Sequence, residues 1–134
     1  MFIHETTIRV RYSETDQMGY VYYGNYAAYL EVARVEAMKS LGVSYKNLEE
    51  QGVIMPVLYY ETKYYKPAFY DDDLKIKTII HELPKTRISF LFEIYNLKKI
   101  KLNTSKVILA FVNLKTKKPG KAPAQLIKKL QKHF

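Results

Sequence analysis

The 134-residue sequence contains no cysteine. That absence excludes disulfides and every mechanism built on a thiol nucleophile, and it leaves the redox compartment open. No Gly-x-Ser-x-Gly element is present, which argues against the strand–turn–helix elbow of serine hydrolases. A phosphate-binding glycine loop and a dinucleotide fingerprint are missing as well. His4, His81 and His133 are scattered without ligand spacing, so no metal site is expected. No apolar run approaches the length of a bilayer span, and charges run through residues 1–12. Neither a signal peptide nor a membrane anchor is expected, and the cytoplasm is the default location.

Acid is missing from one region. Residues 98–134 hold eleven lysines and no Asp or Glu. The net charge of +9 comes from 22 bases and 13 acids, so residues 1–97 hold 11 bases against 13 acids, a balance of −2. The basic character therefore belongs to the last strand and the tail. Such a block favours a phosphorylated ligand, a nucleic acid or an anionic surface, or it is a solvated lysine face.

What is present fits one globular domain over residues 1–134, with 48% hydrophobic residues and no internal repeat. Within residues 2–12, Ile8, Val10 and Tyr12 alternate with Thr7, Arg9 and Arg11, the period of a strand with one buried face. Ser13 to Gly19 reads as a turn, and Asn25 as the N-cap of a helix over 26–41 that Gly42 stops. About 16 residues at 1.5 Å each give roughly 24 Å, enough to cross a sheet. Residues 45–51 read as a short helix. Strand-like runs then follow over 53–66, 74–81, 88–97 and 102–114. Pro56 points to an edge or a bulge, and Pro123 opens a terminal helix over 124–132. One strand, one long helix and four more strands read as α+β: an antiparallel sheet around a central helix.

The segment from Arg9 to Gly42 carries the chemistry. Asp16 sits in the turn and Tyr23-Gly24 at the helix start, where unpaired N–H groups and the positive end of the dipole lie. A carboxylate beside such donors suits acyl chemistry. Local sequence alone also reads Asp16 as a turn-capping aspartate. Glu14, two residues away on an extended segment, would point to the other side and is given no catalytic role. Glu31 and Arg34 read as a structural ion pair on the helix, with Glu36 and Lys39 spaced alike.

The run Tyr12-Ser13-Glu14-Thr15-Asp16-Gln17-Met18-Gly19, then Val21-Tyr22-Tyr23-Gly24-Asn25-Tyr26, then Glu31 and Arg34, resembles the 4-hydroxybenzoyl-CoA thioesterase family. The likeness continues through Pro56-Val57 and Tyr64-Tyr65-Lys66-Pro67-Ala68 to Asp72-Asp73-Leu74. It implies a hot-dog fold, a five-stranded antiparallel sheet wrapped around the long helix, and hydrolysis of an acyl-CoA to a free acid and CoA. It further implies Asp16 as nucleophile or general base, and the backbone N–H groups of Tyr23 and Gly24 as oxyanion donors. Many relatives carry histidine where Tyr23 stands, so only the N–H role carries over. Asn25, Lys85 and Arg87 fall at substrate-binding positions, the last two near the nucleotide of CoA. No cofactor is implied, because CoA belongs to the substrate. The implied partners are further copies of the chain, in dimers or a homotetramer, and acyl carrier protein.

Two other classes stay open on sequence. A hot-dog module could bind acyl-CoA or acyl carrier protein without turnover. A nucleic-acid binder could combine the lysines with Tyr59, Tyr60, Tyr64 and Tyr65, residues that otherwise serve as core or interface aromatics.

Overall fold

The structure is a computed structural model that describes residues 1–134. In chain order the elements are β1 (Phe2–Arg9), α1 (Asn25–Ser40), α2 (Tyr45–Glu50), β2 (Val53–Ile54), β3 (Val57–Tyr64), β4 (Asp73–Ile80), β5 (Arg87–Tyr95), β6 (Lys101–Ala110), β7 (Val112–Asn113) and α3 (Ala124–Gln131). Five strands form one antiparallel sheet in the order β1-β4-β5-β6-β3, and β2 pairs with β7 in a separate two-stranded ribbon. Helix α1 packs on the sheet, which is the α+β architecture expected from the sequence.

Alternation decides which face of the sheet meets α1. Leu74, Ile76, Thr78 and Ile80 of β4, and Ile88, Phe90, Phe92 and Ile94 of β5, are all buried. From α1, Tyr26, Tyr29, Leu30, Ala33, Ala37 and Met38 face them, the spacing of one helical face. Burying each large apolar chain contributes roughly 1.5–3 kcal/mol. Ala33 and Ala37 are completely buried and let the helix approach closely, so a larger residue at either would cost about 1–3 kcal/mol.

Three readings of the sequence change. The alternation of β1 stops at Arg9, and residues 12–14 form a 3-10 turn that leaves Tyr12 exposed. The strand runs over 53–66 and 102–114 are each broken, yielding the β2–β7 ribbon. The N-cap of α1 is Gly24 rather than Asn25, which is the first helical residue. Pro56 precedes β3, which is an edge strand with a register shift between Val57 and Tyr59. Both features anticipated from that proline are there.

The two ends of the sheet differ in character. At one end lie Arg9 opposite Asp73, Tyr64 opposite Asn103, and the N-terminus of α1. At the other lie Val57 opposite Leu109 and Arg87 opposite Ala110. The C-terminus of α1 belongs to that second end, with Lys129 of α3 lying over Gly42 just beyond it.

Candidate active site

Asp16 is held by its own turn. Its backbone N–H donates to Tyr20 O at 2.8 Å, and its carbonyl accepts from Gly19 N–H at 3.0 Å. Gly19 has φ +80, a conformation that side chains resist. One carboxylate oxygen, Oδ1, accepts from the N–H groups of Met18 at 2.9 Å and Tyr20 at 3.3 Å. Oδ2 has no hydrogen bond within the chain, so Asp16 has one oxygen anchored and one free.

The donors expected opposite it are also free. Tyr22 N–H donates to Glu14 O, and Asn25 N–H to Tyr22 O, but the N–H groups of Tyr23 and Gly24 donate to nothing in the chain. They stand at the start of a 16-residue helix whose first turn holds no acid. The dipole therefore leaves roughly half a positive charge there, unneutralised by any side chain in that turn. Gly24 has an ordinary φ of −63. A Cβ there would lie 2.8 Å from Cε2 of Tyr22, so the small residue makes room for that ring.

Asp16 and Tyr23 line the same cleft of about 320 Å³, together with Tyr20, Tyr26, Tyr64 and Lys66. Its walls are mostly apolar, and half of its lining residues are tyrosines. Tyr26 packs against Tyr64 with ring centroids 5.5 Å apart, and burial, aided by Tyr64, pushes the Tyr26 phenol up to about 12. On its other side Asp16 borders a more polar hollow with Ser13, Gln17, Tyr22 and Asn25. The Asn25 amide donates to Glu14 O at 2.8 Å, so it ties the helix to the Asp16 loop.

Lys85 and Arg87 lie elsewhere. They stand at the opposite end of the sheet from Tyr64, roughly 25 Å away along eight residues of strand. The C-terminal lysines divide between the ends. Lys98, Lys99 and Lys101 sit at the turn into β6 on the Asp16 side, Lys106 is on the strand, and the other seven follow β7. None of those seven has a carboxylate partner; the ion pairs of the chain are Arg9–Asp73, Arg11–Glu14, Lys75–Glu5, Lys77–Glu93 and Lys101–Glu93. Lys66 was not singled out from sequence. Its signal was its place in the Tyr64–Ala68 run.

Comparisons with known proteins identify the family of the chain. Residues 10–130 match the model of the thioesterase-like superfamily. The chain belongs to that family. It is similar to the acyl-CoA thioester hydrolase YbgC of Escherichia coli O6:H1, 32% identical over 120 residues and 90% of each chain. Against the acyl-CoA thioesterase YbgC of Helicobacter pylori strain 26695 it is 34% identical over 130 residues, covering 91% of this chain and 95% of that one. Among solved structures, a DHNA-CoA thioesterase from Staphylococcus aureus superposes with a TM-score of 0.86 at 36% identity, over 100% of this chain and 85% of that one. The fold is the hot-dog fold of thioesterases, and this chain is a thioester hydrolase. No helix in it is long and apolar enough to cross a membrane.

Proposed function

We propose that this thioesterase hydrolyses acyl-CoA, with Asp16 as its carboxylate and the N–H groups of Tyr23 and Gly24 as oxyanion donors. The observation that carries this reading is a free Oδ2 on Asp16 and two unspent helix-terminal N–H groups, with Asp16 and Tyr23 lining one tyrosine-rich cleft. As the thioester carbonyl becomes tetrahedral, its oxygen gains negative charge, which those two N–H groups and the dipole stabilise. Asp16 then acts by one of two balanced routes. As a nucleophile, it bonds to the carbonyl carbon, expels the CoA thiolate and leaves a mixed anhydride that water opens. As a base, it takes a proton from the attacking water, and the same C–S bond breaks. Both give a carboxylic acid and free CoA.

Assembly completes the site. β3 is an edge strand, and Val57, Leu58, Tyr59, Tyr60 and Tyr64 along it are all exposed, whereas the other edge strand alternates Glu5, Thr7 and Arg9 outward. An apolar edge of that kind seeks a partner strand. Antiparallel pairing of two β3 strands about a two-fold axis reverses one sheet against the other. The Arg87 end of one copy then lies beside the Asp16 end of its partner, where Lys85 and Arg87 meet the phosphates of CoA. Two such dimers would build a homotetramer, and an acyl carrier protein would deliver the same thioester.

Incubating the purified protein with acyl-CoA and a thiol reagent tests the activity. Thiol release by the native chain and its loss in Asp16→Asn are expected. Binding of acyl-CoA without release would instead make the chain a carrier module.

A further inference from the structure

Asp16 and the oxyanion donors belong to separate pieces of chain: Asp16 itself bonds Tyr20, and Glu14 carries the bonds from its loop to the helix. Glu14 accepts five hydrogen bonds. Its carboxylate takes the Arg11 N–H at 2.8 Å, the Arg11 guanidinium at 3.1 Å and the Tyr29 hydroxyl at 2.9 Å. Its backbone carbonyl takes the Tyr22 N–H at 2.8 Å and the Asn25 side-chain amide at 2.8 Å. Two of these donors, Asn25 and Tyr29, belong to the first two turns of α1. A third, Tyr22, immediately precedes Tyr23 and Gly24. Glu14 itself stands two residues before Asp16. The loop with the carboxylate and the helix with the N–H groups are thus pinned through a single side chain and its own carbonyl.

We infer that Glu14 is a positioning residue for the reaction, setting the separation between the Asp16 carboxylate and the Tyr23 and Gly24 N–H groups. The inference rests on the reading of Asp16 given above. Its physical basis is the sensitivity of catalysis to small displacements, because oxyanion donors act only within about 3 Å of the developing charge. A glutamine would keep one oxygen for the two donors on Oε1 but set its NH2 against the Arg11 guanidinium, donor to donor. The Arg11 N–H, the guanidinium and the Tyr29 hydroxyl are all donors, and only an acceptor-only carboxylate satisfies three of them. Glu14 is ionised at neutral pH: its partial burial favours the neutral acid, but the bonds from Arg11 and Tyr29 outweigh that and hold it below the usual carboxylate range. Burial and the same carboxylate push the Tyr29 phenol well up, so it stays a donor. The nearly buried Tyr29 ring packs edge-on against Tyr26, which lines the cleft. The link from Glu14 into the helix is therefore rigid as well as polar.

The test uses the full chain with Asp16→Asn, Glu14→Gln and Tyr29→Phe, assayed for thiol release from acyl-CoA across pH. Tyr29→Phe keeps the ring and the core and removes only the helix-side bond, so it stays informative if Glu14→Gln fails to fold. The expected result is a fall in kcat of roughly tenfold or more for Glu14→Gln and a smaller fall for Tyr29→Phe, with KM nearly unchanged. The shape of the pH profile should persist. Adding Glu14→Gln to Asp16→Asn should cost little more, because the effect passes through Asp16. Wild-type kcat in folded Tyr29→Phe, or full additivity in the double variant, overturns the inference while leaving Asp16 as the carboxylate. An active Asp16→Asn overturns the reading of Asp16 and the inference with it.

Discussion

Arg34 of α1 donates from Nε to the hydroxyl of Tyr45 at 2.9 Å, and its guanidinium lies 5.9 Å from the centre of that ring. The sequence spacing pointed instead to an ion pair with Glu31, but Glu31 is exposed and forms no salt bridge. Arg34 is only 9% exposed, so the tyrosine supplies the polar contact that its burial demands. Removing that hydroxyl with Tyr45→Phe should destabilise the fold by about 1.5–3 kcal/mol, the range for hydrogen bonds to charged groups. Urea unfolding of the two proteins measures the difference.

The same tyrosine gives the fold an alkaline limit. Burial, partly offset by Arg34, pushes the Tyr45 phenol up to about 12, and burial does the same to Tyr26. Below pH 10 both phenols are neutral in the folded and unfolded chain, and their full contribution to stability is present. Between about pH 10 and 12 the unfolded chain releases its protons first, so stability falls with rising pH. Urea midpoints should be flat in this respect up to pH 10 and drop beyond it, less steeply in Tyr45→Phe.

Turnover should depend on Asp16 more than on any other single carboxylate. Asp16→Asn keeps the size of the side chain and an oxygen for the Met18 and Tyr20 N–H groups, but loses the charge on Oδ2. A fall in kcat of roughly a hundredfold is expected, the scale of a lost base, with a much smaller change in substrate affinity. Steady-state kinetics on a variant with native circular dichroism checks it.

Much of this site was legible in the order of residues, and what was hidden had tertiary causes. The strands β4 and β5 were readable because their inner faces are continuous: Leu74 to Ile80 and Ile88 to Ile94 bury every second residue. Asp16, Tyr23 and Gly24 could be named as candidates because the resemblance fixes acid, turn and helix start within nine residues, and the fold brings Asp16 and Tyr23 to one cleft. Glu14 was misplaced because an extended segment was assumed, whereas its carboxylate folds residues 12–14 into a 3-10 turn by binding Arg11. The partner of Arg34 was missed because Tyr45 reaches it only after the chain reverses at Gly42. Lys85 and Arg87 raise a question of assembly, which no local pattern answers.

Charge near the cleft should act on binding and not on chemistry. Exposed charges are screened beyond about 8 Å at physiological salt, so a cation must stand close to a CoA phosphate to matter. Lys66 lines the cleft, whereas Lys129 lies over the C-terminal end of α1. Raising salt should increase KM for acyl-CoA with kcat nearly constant, and a pantetheine thioester without the nucleotide should show little of that effect. Lys66→Gln should weaken the salt dependence, while a substitution at exposed Lys132 leaves it unchanged.

The placement of Lys85 and Arg87 leads to a sharper expectation, because they can serve the Asp16 cleft only from another copy. Light scattering at micromolar concentration should give a dimer or tetramer. A Lys85→Gln/Arg87→Gln protein should then show a raised KM for acyl-CoA, while Asp16→Asn should lose turnover. Mixed after dissociation and reassociation, the two proteins form hybrids. In each hybrid dimer, one cleft combines an intact Asp16 with the intact cations of its neighbour. Random mixing makes half of the dimers hybrid, and half of their clefts whole, so about a quarter of the native activity should return at limiting substrate. A chain carrying all three substitutions, mixed with the Lys85→Gln/Arg87→Gln protein, offers intact Asp16 but no intact cations and should give no rescue. A monomeric mass, or a mixture no more active than its parts, would place the cations outside the site and return Lys85 and Arg87 to the solvated end of the sheet.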